Sequence, residues 1–192
     1  MKKLIFATHN SNKLLEIKFA VKTFEVVGLE EMCIHEDIEE TGTTIEENAL
    51  IKSQYIFQKT ALNCFADDTG LEVEALDGKP GVYSARYAGE KATAEINMQK
   101  LLTEMEGQKN RNARFRTVIS LILDGEKYSF EGKVKGEILY QKTGNDGFGY
   151  DPIFKPNGYD QSFAEMTMAL KNEISHRGVA VKKLIHFLSH RS

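Results

Sequence analysis

The sequence predicts an α/β fold, because short apolar runs typical of β-strands alternate with longer segments of helical periodicity. The run KLIFAT at residues 3–8 has the first strand pattern, and a helical pattern follows it directly. A second observation is the pair Asp124–Gly125 between two alternating runs, which is a strong signal for a two-residue hairpin turn. With 192 residues and no Pro- or Ser-rich linker, the chain is expected to form a single domain, 1–192.

The composition argues against several classes of function. The chain has 25 basic and 28 acidic residues, so its net charge of −3 provides no global field for nucleic acid or an anionic membrane. The apolar run near Met1 is too short for a signal peptide, and no later run reaches transmembrane length. We therefore expect a cytoplasmic protein with no membrane partner and no stable nucleic-acid partner.

Cysteines and histidines give no signal for a disulfide or a transition-metal site. Cys33 and Cys64 lie far apart and form no CxxC motif, which predicts reduced and mostly buried thiols. The five histidines have no spacing that suits zinc or iron.

The first strand–helix connection is a candidate anion site. Its polar turn, residues 8–13, leads into a helical pattern of Leu14, Ile17, Val21 and Phe24. Backbone N–H groups at a helix start and the positive end of the helix dipole both favour an anion, and Lys13 lies at that end. In the alternative interpretation, one of Asn10, Ser11 and Asn12 merely caps the helix.

A lysine on an apolar helix face marks the next segment. A strand is predicted around residues 26–34 and a helix at about 45–62, starting with a capping box of Thr43 and Glu46 or of Thr44 and Glu47. Lys52 shares its helix face with Ile45, Asn48, Ala49 and Ile56. Such a lysine either extends along its stem to solvent or reaches an anion in a cleft.

Two adjacent carboxylates, Asp67 and Asp68, are the central candidates for a functional site. A buried strand is predicted at residues 63–66, so the pair would follow its C-terminal end, and a second strand is predicted at 71–75. Ionised neighbours raise each other's pKa and need a positive partner, for which a hard divalent cation is the usual choice. The alternative is a polar turn in which Gly70 adopts a positive φ.

The middle of the chain has a helix, a basic patch and alternating strands. The helix is predicted at residues 90–106, and the strands at 115–123 and 133–140. The basic patch, residues 109–116, could contact nucleic acid, but the balanced charge of the chain favours the solvated edge of a strand.

A glycine-rich loop and a group of donors near the C-terminus are candidates for ligand recognition. The loop 143–152 places Phe148 and Tyr150 among glycines, so its backbone can approach a flat ligand while a ring stacks on it. In the alternative, the two rings only fill the core. Lys171, His176 and Arg177 are predicted at the start of a closing helix, where cations oppose the dipole and call for an acceptor-rich ligand.

Together these segments resemble the inosine triphosphate pyrophosphatase family, the Ham1-like or RdgB-like enzymes. The motifs match in order along nearly the whole chain, although any one alone would be weak evidence. They are Thr8–Lys13 for T-x-N-x-x-K, Glu40–Gly42 for E-T-G, Glu47–Lys52 for E-N-A-x-x-K, Ala66–Leu71 for A-D-D-S-G-L, Pro80–Tyr87 for P-G-[VI]-Y-S-A-R-Y, Phe148–Pro152, and Ser175–Arg177.

The resemblance implies an ITPase-like α/β fold, with a long central mixed sheet flanked by helices, two lobes, an active-site cleft between them, and usually a homodimer. It also implies hydrolysis of non-standard purine nucleoside triphosphates, namely ITP, dITP and XTP. In that reaction water attacks the α-phosphorus to give the nucleoside monophosphate and pyrophosphate, with Mg²⁺ required, which cleanses the nucleotide pool.

The resemblance further implies a role for each matching residue. Asp68 is implied to be the general base and a metal ligand, Glu40 a second metal ligand, and Asp67 a catalytic residue that supports them. The implied triphosphate-binding residues are Thr8, His9, Asn10, Ser11, Asn12, Lys13 and Lys52, and Thr69 is implied to contact the substrate. The implied base-binding residues are Phe148, Gly149, Tyr150, Asp151, Lys171, His176 and Arg177, with Phe148 stacking on the base and His176 and Arg177 at its 6-position.

Three positions depart from the family pattern. Thr69 replaces the usual Ser and His9 replaces a small residue, changes that could alter rate or affinity, while Met168–Leu170 replaces an acidic run.

Two rival functions stay open. A Maf-like nucleotide pyrophosphatase is disfavoured by the base-binding motifs, and a nucleotide- or nucleic-acid-binding module without turnover is disfavoured by the carboxylates of Glu40, Asp67 and Asp68.

Overall fold

The computed structural model describes residues 3–21 and 24–190, and it confirms the α/β prediction for this part of the chain. Its strands are β1 Lys3–Phe6, β2 Glu25–Val27, β3 Cys64–Val73, β4 Pro80–Gly81, β5 Asn112–Leu123, β6 Glu126–Ile138 and β7 Phe154–Pro156. Its α-helices are α1 Ser11–Ala20, α2 Ile45–Thr60, α3 Ala94–Glu104, α4 Met168–Ile174 and α5 His176–Ser189. Within these residues no helix has both the length and the apolarity needed to cross a bilayer.

The sheet is mixed, as the family resemblance implied. The strand order is β2-β1-β3-β5-β6-β7, and β4 pairs with β3 outside this path. β1 runs parallel to β2 and β3, whereas the pairs β3–β4 and β6–β7 are antiparallel. Because Phe6 pairs with Phe65, the polar turn that follows β1 lies beside Asp67 and Asp68. The predicted hairpin is confirmed, since Asp124 and Gly125, with φ values of 52° and 85°, connect β5 to β6.

The chain forms two compact units, and the first comprises Met1–Asp68, Thr117–Gly132 and Arg177–Ser192. In its core the rings of Phe6 and Phe65 stack with their centroids 4.5 Å apart. The same cluster contains Ile17 of α1, Val21 directly after α1, and Val181, Leu184 and Leu188 of α5. This packing holds α1 and the part of β3 that leads to the aspartates in one body.

The second unit comprises Thr69–Arg116 and Lys133–His176. Its core contains Phe115, Phe154 and Phe163, and the Phe115 and Phe154 rings meet edge to face at 4.7 Å. Buried residues of α3, Met98 and Leu101, belong to the same cluster. The glycine-rich loop is attached to this core through Tyr150, which is also buried.

The predicted break between two strands at Asp67–Gly70 is wrong. β3 is one continuous strand of 10 residues, so Asp67 and Asp68 lie within it and Gly70 continues the extended backbone. Its apolar residues before and after the aspartates, such as Ala66 and Leu71, are fully buried, which favours one strand over a solvated turn. The polar-turn alternative is therefore also wrong.

Smaller differences have local causes. The segment predicted as strand 26–34 forms only β2 followed by a 3₁₀ turn, Glu30–Met32. Helix α2 ends at Thr60 because Ala61 adopts a left-handed conformation with a φ of 54°. Of the two capping boxes predicted for α2, the structure forms that of Thr44 and Glu47.

The cysteine prediction is half right. Cys64 is buried, whereas Cys33 is exposed, and both are free thiols. Cys33 lies directly after the 3₁₀ turn in a left-handed conformation with a φ of 54°, and not in the strand predicted for residues 26–34.

Candidate active site

The polar turn after β1 is organised by Asn10. Its side-chain oxygen accepts hydrogen bonds from the backbone N–H groups of Asn12 at 3.0 Å and Lys13 at 3.2 Å, so Asn10 is the N-cap of α1. The Asn10 N–H in turn donates to Oγ1 of Thr8 at 3.1 Å. The turn therefore has a defined shape at a helix start, and Asn10, Ser11 and Asn12 are exposed there. This arrangement suits an anion as well as a simple cap.

His9 faces the segment after β2. Its Nε2 lies 3.1 Å from the carbonyl oxygen of Glu36, and its Nδ1 lies 3.6 Å from a carboxylate oxygen of Glu30. The larger side chain at this position thus connects the polar turn to residues 30–36.

A chain of four alternating charges runs through the first unit. Lys13 Nζ lies 3.0 Å from Oδ1 of Asp67, and Arg177 Nε lies 3.1 Å from Oδ2 of the same carboxylate. Nη1 of Arg177 also lies 2.5 Å from Oε2 of Glu16. Asp67 is 1% exposed and Arg177 is 3% exposed, so these pairs are shielded from water.

The surroundings of Asp67 keep it ionised. Burial alone would raise its pKa, but the charges of Lys13 and Arg177 outweigh burial and hold the pKa well below its usual value. Burial lowers the pKa of Lys13, although Asp67 opposes that shift. Asp67 is therefore a fixed negative charge that orients two cations.

Lys52 joins the two predicted metal ligands. Its Nζ lies 2.5 Å from Oε1 of Glu40 and 3.6 Å from Oδ1 of Asp68. Lys52 is a buried side chain on α2, so of the two sequence interpretations the one in which it reaches inward to an anion is correct. Successive residues of a strand point to opposite faces, which explains why Asp68 meets Lys52 while Asp67 meets Lys13 and Arg177.

Asp68 has the opposite pKa shift to its neighbour. Burial raises its pKa, Lys52 and Lys13 oppose this rise, and the negative charges of Glu40 and Asp67 add to it. Two neighbouring carboxylates with pKa values pushed in opposite directions are typical of an acid–base site. Of the two, Asp68 is the carboxylate whose pKa is shifted toward proton uptake.

Glu40 and Asp68 offer the oxygen ligands that Mg²⁺ prefers. The described part of the chain has no ready group of three or more His, Cys, Asp or Glu ligands. Instead, both carboxylates surround the Lys52 ammonium group, so this location already accommodates a positive charge. The two carboxylates fit a hard cation that is also bound by other oxygen ligands.

A second cluster of predicted residues lies in the second unit. Oδ2 of Asp151 accepts a hydrogen bond from Lys171 Nζ at 2.7 Å and another from the Phe148 N–H at 2.7 Å. Lys171 Nζ also lies 4.8 Å from the centroid of the Phe148 ring. A Cβ on Gly147 would lie 2.3 Å from Oδ2 of Asp151, so the loop needs glycine here to reach the carboxylate.

His176 and Tyr150 are packed into the same unit. The His176 imidazole stacks on the Phe115 ring at 4.5 Å and 15°, and it is 4% exposed. The Tyr150 hydroxyl donates to the Ser84 carbonyl oxygen at 2.8 Å, and burial raises the Tyr150 pKa. Tyr150 thus anchors the loop, while Gly149 next to it has a φ of 63°. Thr69 is half-buried in β3.

Arg177 lies between two buried carboxylates. Its neighbour His176 belongs to the second unit, but Arg177 itself belongs to the first and contacts Glu16 and Asp67. A role at the 6-position of a base stays a prediction for Arg177. Its observed contacts are those of a residue that positions Asp67.

The basic patch is balanced by neighbouring acids. Arg114 pairs with Glu72, while Asn110 and Asn112 both donate to Glu74. These contacts favour the interpretation of the patch as the solvated surface of a strand over a nucleic-acid site.

Sequence reasoning missed Glu16. It is 6% exposed, and its contact with Arg177 joins residues 161 positions apart, which no local pattern indicates. One signal was present, because Glu16 lies three residues after Lys13 and therefore on the same face of α1.

Comparison with known proteins gives a consistent result. The model of the Ham1 family matches residues 4–187. The chain is 54% identical over 188 residues to a dITP/XTP pyrophosphatase of Flavobacterium johnsoniae, covering 97% of this chain and 98% of the relative. It is 53% identical over 190 residues to a dITP/XTP pyrophosphatase of Porphyromonas gingivalis, covering 98% of each.

Solved structures agree with the sequence comparisons. The Ham1 protein of Staphylococcus aureus superposes with a TM-score of 0.89 at 42% identity, covering 100% of both chains. A HAM1 protein of Coxiella burnetii gives a TM-score of 0.90 at 38% identity, covering 99% of this chain and 100% of that one. The resemblance predicted from the motifs is thereby confirmed, and the chain belongs to the Ham1 family.

Proposed function

We propose that this chain hydrolyses non-standard purine nucleoside triphosphates, namely ITP, dITP and XTP, to the monophosphate and pyrophosphate. The observation that carries the proposal is the pair Asp67 and Asp68, whose pKa values are displaced in opposite directions among buried lysines. Relatives that are 54% and 53% identical are dITP/XTP pyrophosphatases, and each aligns over nearly its whole length.

The first unit binds the phosphates in this proposal. Lys13, Lys52, Thr8, Asn10 and the N–H groups at the start of α1 supply positive charge and hydrogen-bond donors. Phosphoryl transfer mainly requires positioning and neutralisation of charge, and these groups provide both. Since Lys13 is held by Asp67, its ammonium group is oriented before the substrate arrives.

Asp68 acts as the general base. Its carboxylate accepts a proton from the attacking water as that oxygen bonds to the α-phosphorus and the bond to the pyrophosphate oxygen breaks. Glu40 and Asp68 would hold Mg²⁺, which when bound supplies charge neutralisation and a more acidic water. Asp67 stays ionised throughout, and it keeps Lys13 and Arg177 in place.

The second unit recognises the base. Phe148 stacks on the purine, while Lys171 and His176 present donors to the acceptor at its 6-position. The 6-amino group of adenine would place donor against donor, and leaving such a buried group unpaired costs about 1–3 kcal/mol. ATP should therefore be a poor substrate.

Three further features belong to this proposal. Mg²⁺ is the cofactor, the compartment is the cytoplasm, where the nucleotide pool lies, and the active form is a homodimer. Exposed large apolar side chains of the second unit, including Tyr83, Ile96 and Tyr140, support an oligomer. Light scattering after size exclusion would measure the mass of the assembly.

The experiment is a product analysis in water enriched in ¹⁸O. The purified protein is incubated with ITP, dITP, XTP, ATP or GTP in Mg²⁺, and chromatography with mass spectrometry identifies the products. We expect monophosphate and pyrophosphate from ITP, dITP and XTP, with the label in the monophosphate. Label in pyrophosphate, or release of diphosphate and orthophosphate, would disprove attack at the α-phosphorus.

Two variants link the reaction to the site. Asp68→Asn should abolish turnover, whereas Asp77→Asn, which changes an exposed aspartate in the turn after β3, should leave it unchanged. A fully active Asp68→Asn variant would remove Asp68 from the mechanism, and tight binding without turnover by the wild type would favour the binding-module alternative.

A further inference from the structure

Asn48 is a buried side chain to which the mechanism above gives no role. It lies on α2 with 0% exposure, four residues before Lys52 and therefore on the same helix face. Its Oδ1 accepts a hydrogen bond of 2.8 Å from the backbone N–H of Gly42. Helix α2 thus holds residues 40–42 at two points, the Gly42 backbone through Asn48 and the Glu40 carboxylate through Lys52.

The close approach of residues 40–42 to α2 requires glycine. A Cβ on Gly42 would lie 2.6 Å from Oδ1 of Asn48 and 2.7 Å from Cβ of Glu47, which is closer than such atoms tolerate. The start of α2 is itself fixed by the capping box of Thr44 and Glu47. The Gly42 backbone is therefore held against a rigid helix end, two residues after Glu40.

The hydrogen bonds of the Asn48 amide differ from those of Asn97, a buried asparagine in a comparable helix position. Asn97 also follows a threonine N-cap by four residues, and it uses both ends of its amide, with Ala88 at 2.8 Å and Ala85 at 3.0 Å. Nδ2 of Asn48, by contrast, is buried and meets no acceptor within the described residues. A buried donor without a hydrogen bond is unfavourable, so packing alone does not explain why residue 48 is asparagine. The hydrogen bond from the Gly42 N–H to Oδ1 of Asn48 explains it.

We propose that Asn48 is a positioning residue for Glu40, and that it sets the affinity of the chain for Mg²⁺ by fixing the Gly42 backbone. This inference rests on the proposed function, in which Glu40 is a metal ligand. Groups that orient a metal ligand without touching the metal change metal affinity by about 10- to 100-fold when they are removed.

The test is a direct metal titration without nucleotide. Mg²⁺ is titrated by calorimetry, and Mn²⁺ by electron paramagnetic resonance, into the wild type and Asn48→Ala. We expect the dissociation constant of Asn48→Ala to be about tenfold higher. Asn97→Ala is the matched control, because it removes another buried asparagine that holds a different loop, and it should bind metal like the wild type.

A second variant disrupts the hydrogen bond between Gly42 and Asn48 by changing Gly42. Gly42→Ala should also weaken metal binding, since its Cβ displaces the backbone from Asn48. Its effect should be smaller in the Asn48→Ala background, where Oδ1 is absent. Circular dichroism verifies folding, and if Asn48→Ala does not fold, Gly42→Ala decides the question.

The two possible failures are distinguishable. If the wild type binds metal and Asn48→Ala binds it equally well while melting at a lower temperature, Asn48 has a structural role and this inference is overturned. If the wild type itself binds neither metal, the metal-binding role of Glu40 is disproved, and the inference about Asn48 is disproved as well.

Discussion

Arg177 and Asp67 are 110 residues apart in the sequence, yet Nε of Arg177 lies 3.1 Å from Oδ2 of Asp67. The same guanidinium group contacts Glu16 on α1 at 2.5 Å. One buried arginine at the start of α5 therefore connects Glu16 of α1 with Asp67 of β3. Stability and charge placement in the first unit depend on the same contacts.

Replacing Arg177 by Met is expected to lower the free energy of unfolding by about 3–5 kcal/mol, because two buried carboxylates lose the cation that they share. Urea denaturation of the wild type and the variant measures the difference. Arg114→Met is the control, since Arg114 is exposed and pairs with Glu72 on the surface. The Arg114→Met substitution should lower the free energy of unfolding by less than about 1 kcal/mol. Equal losses in the two variants would contradict the assignment of a buried, shared cation.

The contribution of Asp67 to stability has a definite pH dependence. Its folded-state pKa is held below the ordinary value of 3.8, because Lys13 and Arg177 outweigh the effect of burial. Above that ordinary value both states are ionised and the contribution is complete. Below it the unfolded state binds a proton that the folded state does not bind, so the contribution is lost as the pH falls.

Urea denaturation in EDTA tests this sign. The stability difference between the wild type and Asp67→Asn should be constant near neutral pH and should shrink as the pH falls below 3.8. Because both proteins share every other titrating group, the difference reports Asp67 together with its effect on the neighbouring charges of Lys13 and Asp68. A difference that grows in acid would mean that the pKa of Asp67 is raised rather than lowered.

Local patterns predicted the fold where local contacts decide the structure. The polar turn after β1 is capped by Asn10, one of the three residues proposed, and α2 starts at one of the two capping boxes proposed. The Asp67–Gly70 segment forms a strand instead, because its turn propensity is overridden by the place of β3 between β1 and β5 in the sheet and by the burial of Asp67, Asp68 and Gly70. Glu16 could not be paired with Arg177 from the sequence, since 161 residues separate them.

The two cysteines should differ in reactivity. Cys33 is exposed, while Cys64 is buried and burial raises the pKa of its thiol to about 12. A chromogenic disulfide reagent at mildly alkaline pH should therefore label one thiol per native chain quickly, and the second only after unfolding in urea. Cys33→Ser should lose the fast phase and keep the slow one. Rapid labelling of both thiols in the native wild type would show that Cys64 is accessible.

Lys52→Gln is expected to reduce kcat/KM for ITP by about 10²- to 10³-fold, the usual effect of removing one donor to the charge that develops in a transition state. The substitution removes the ammonium group that lies 2.5 Å from Glu40 and 3.6 Å from Asp68. Since the Lys52 charge opposes the rise in the pKa of Asp68, the acidic limb of the pH–rate profile should also move to higher pH.

Lys59→Gln is the matched control for Lys52→Gln. Lys59 lies on the same helix but is exposed, and it pairs with Glu36 on the surface. This variant should retain wild-type kcat/KM and an unchanged pH profile, because exposed pairs contribute little. If Lys52→Gln proved as active as Lys59→Gln, the triphosphate would have to be bound through Lys13 and the start of α1. The Lys52 ammonium group would then serve only to neutralise Glu40 and Asp68 in the free protein.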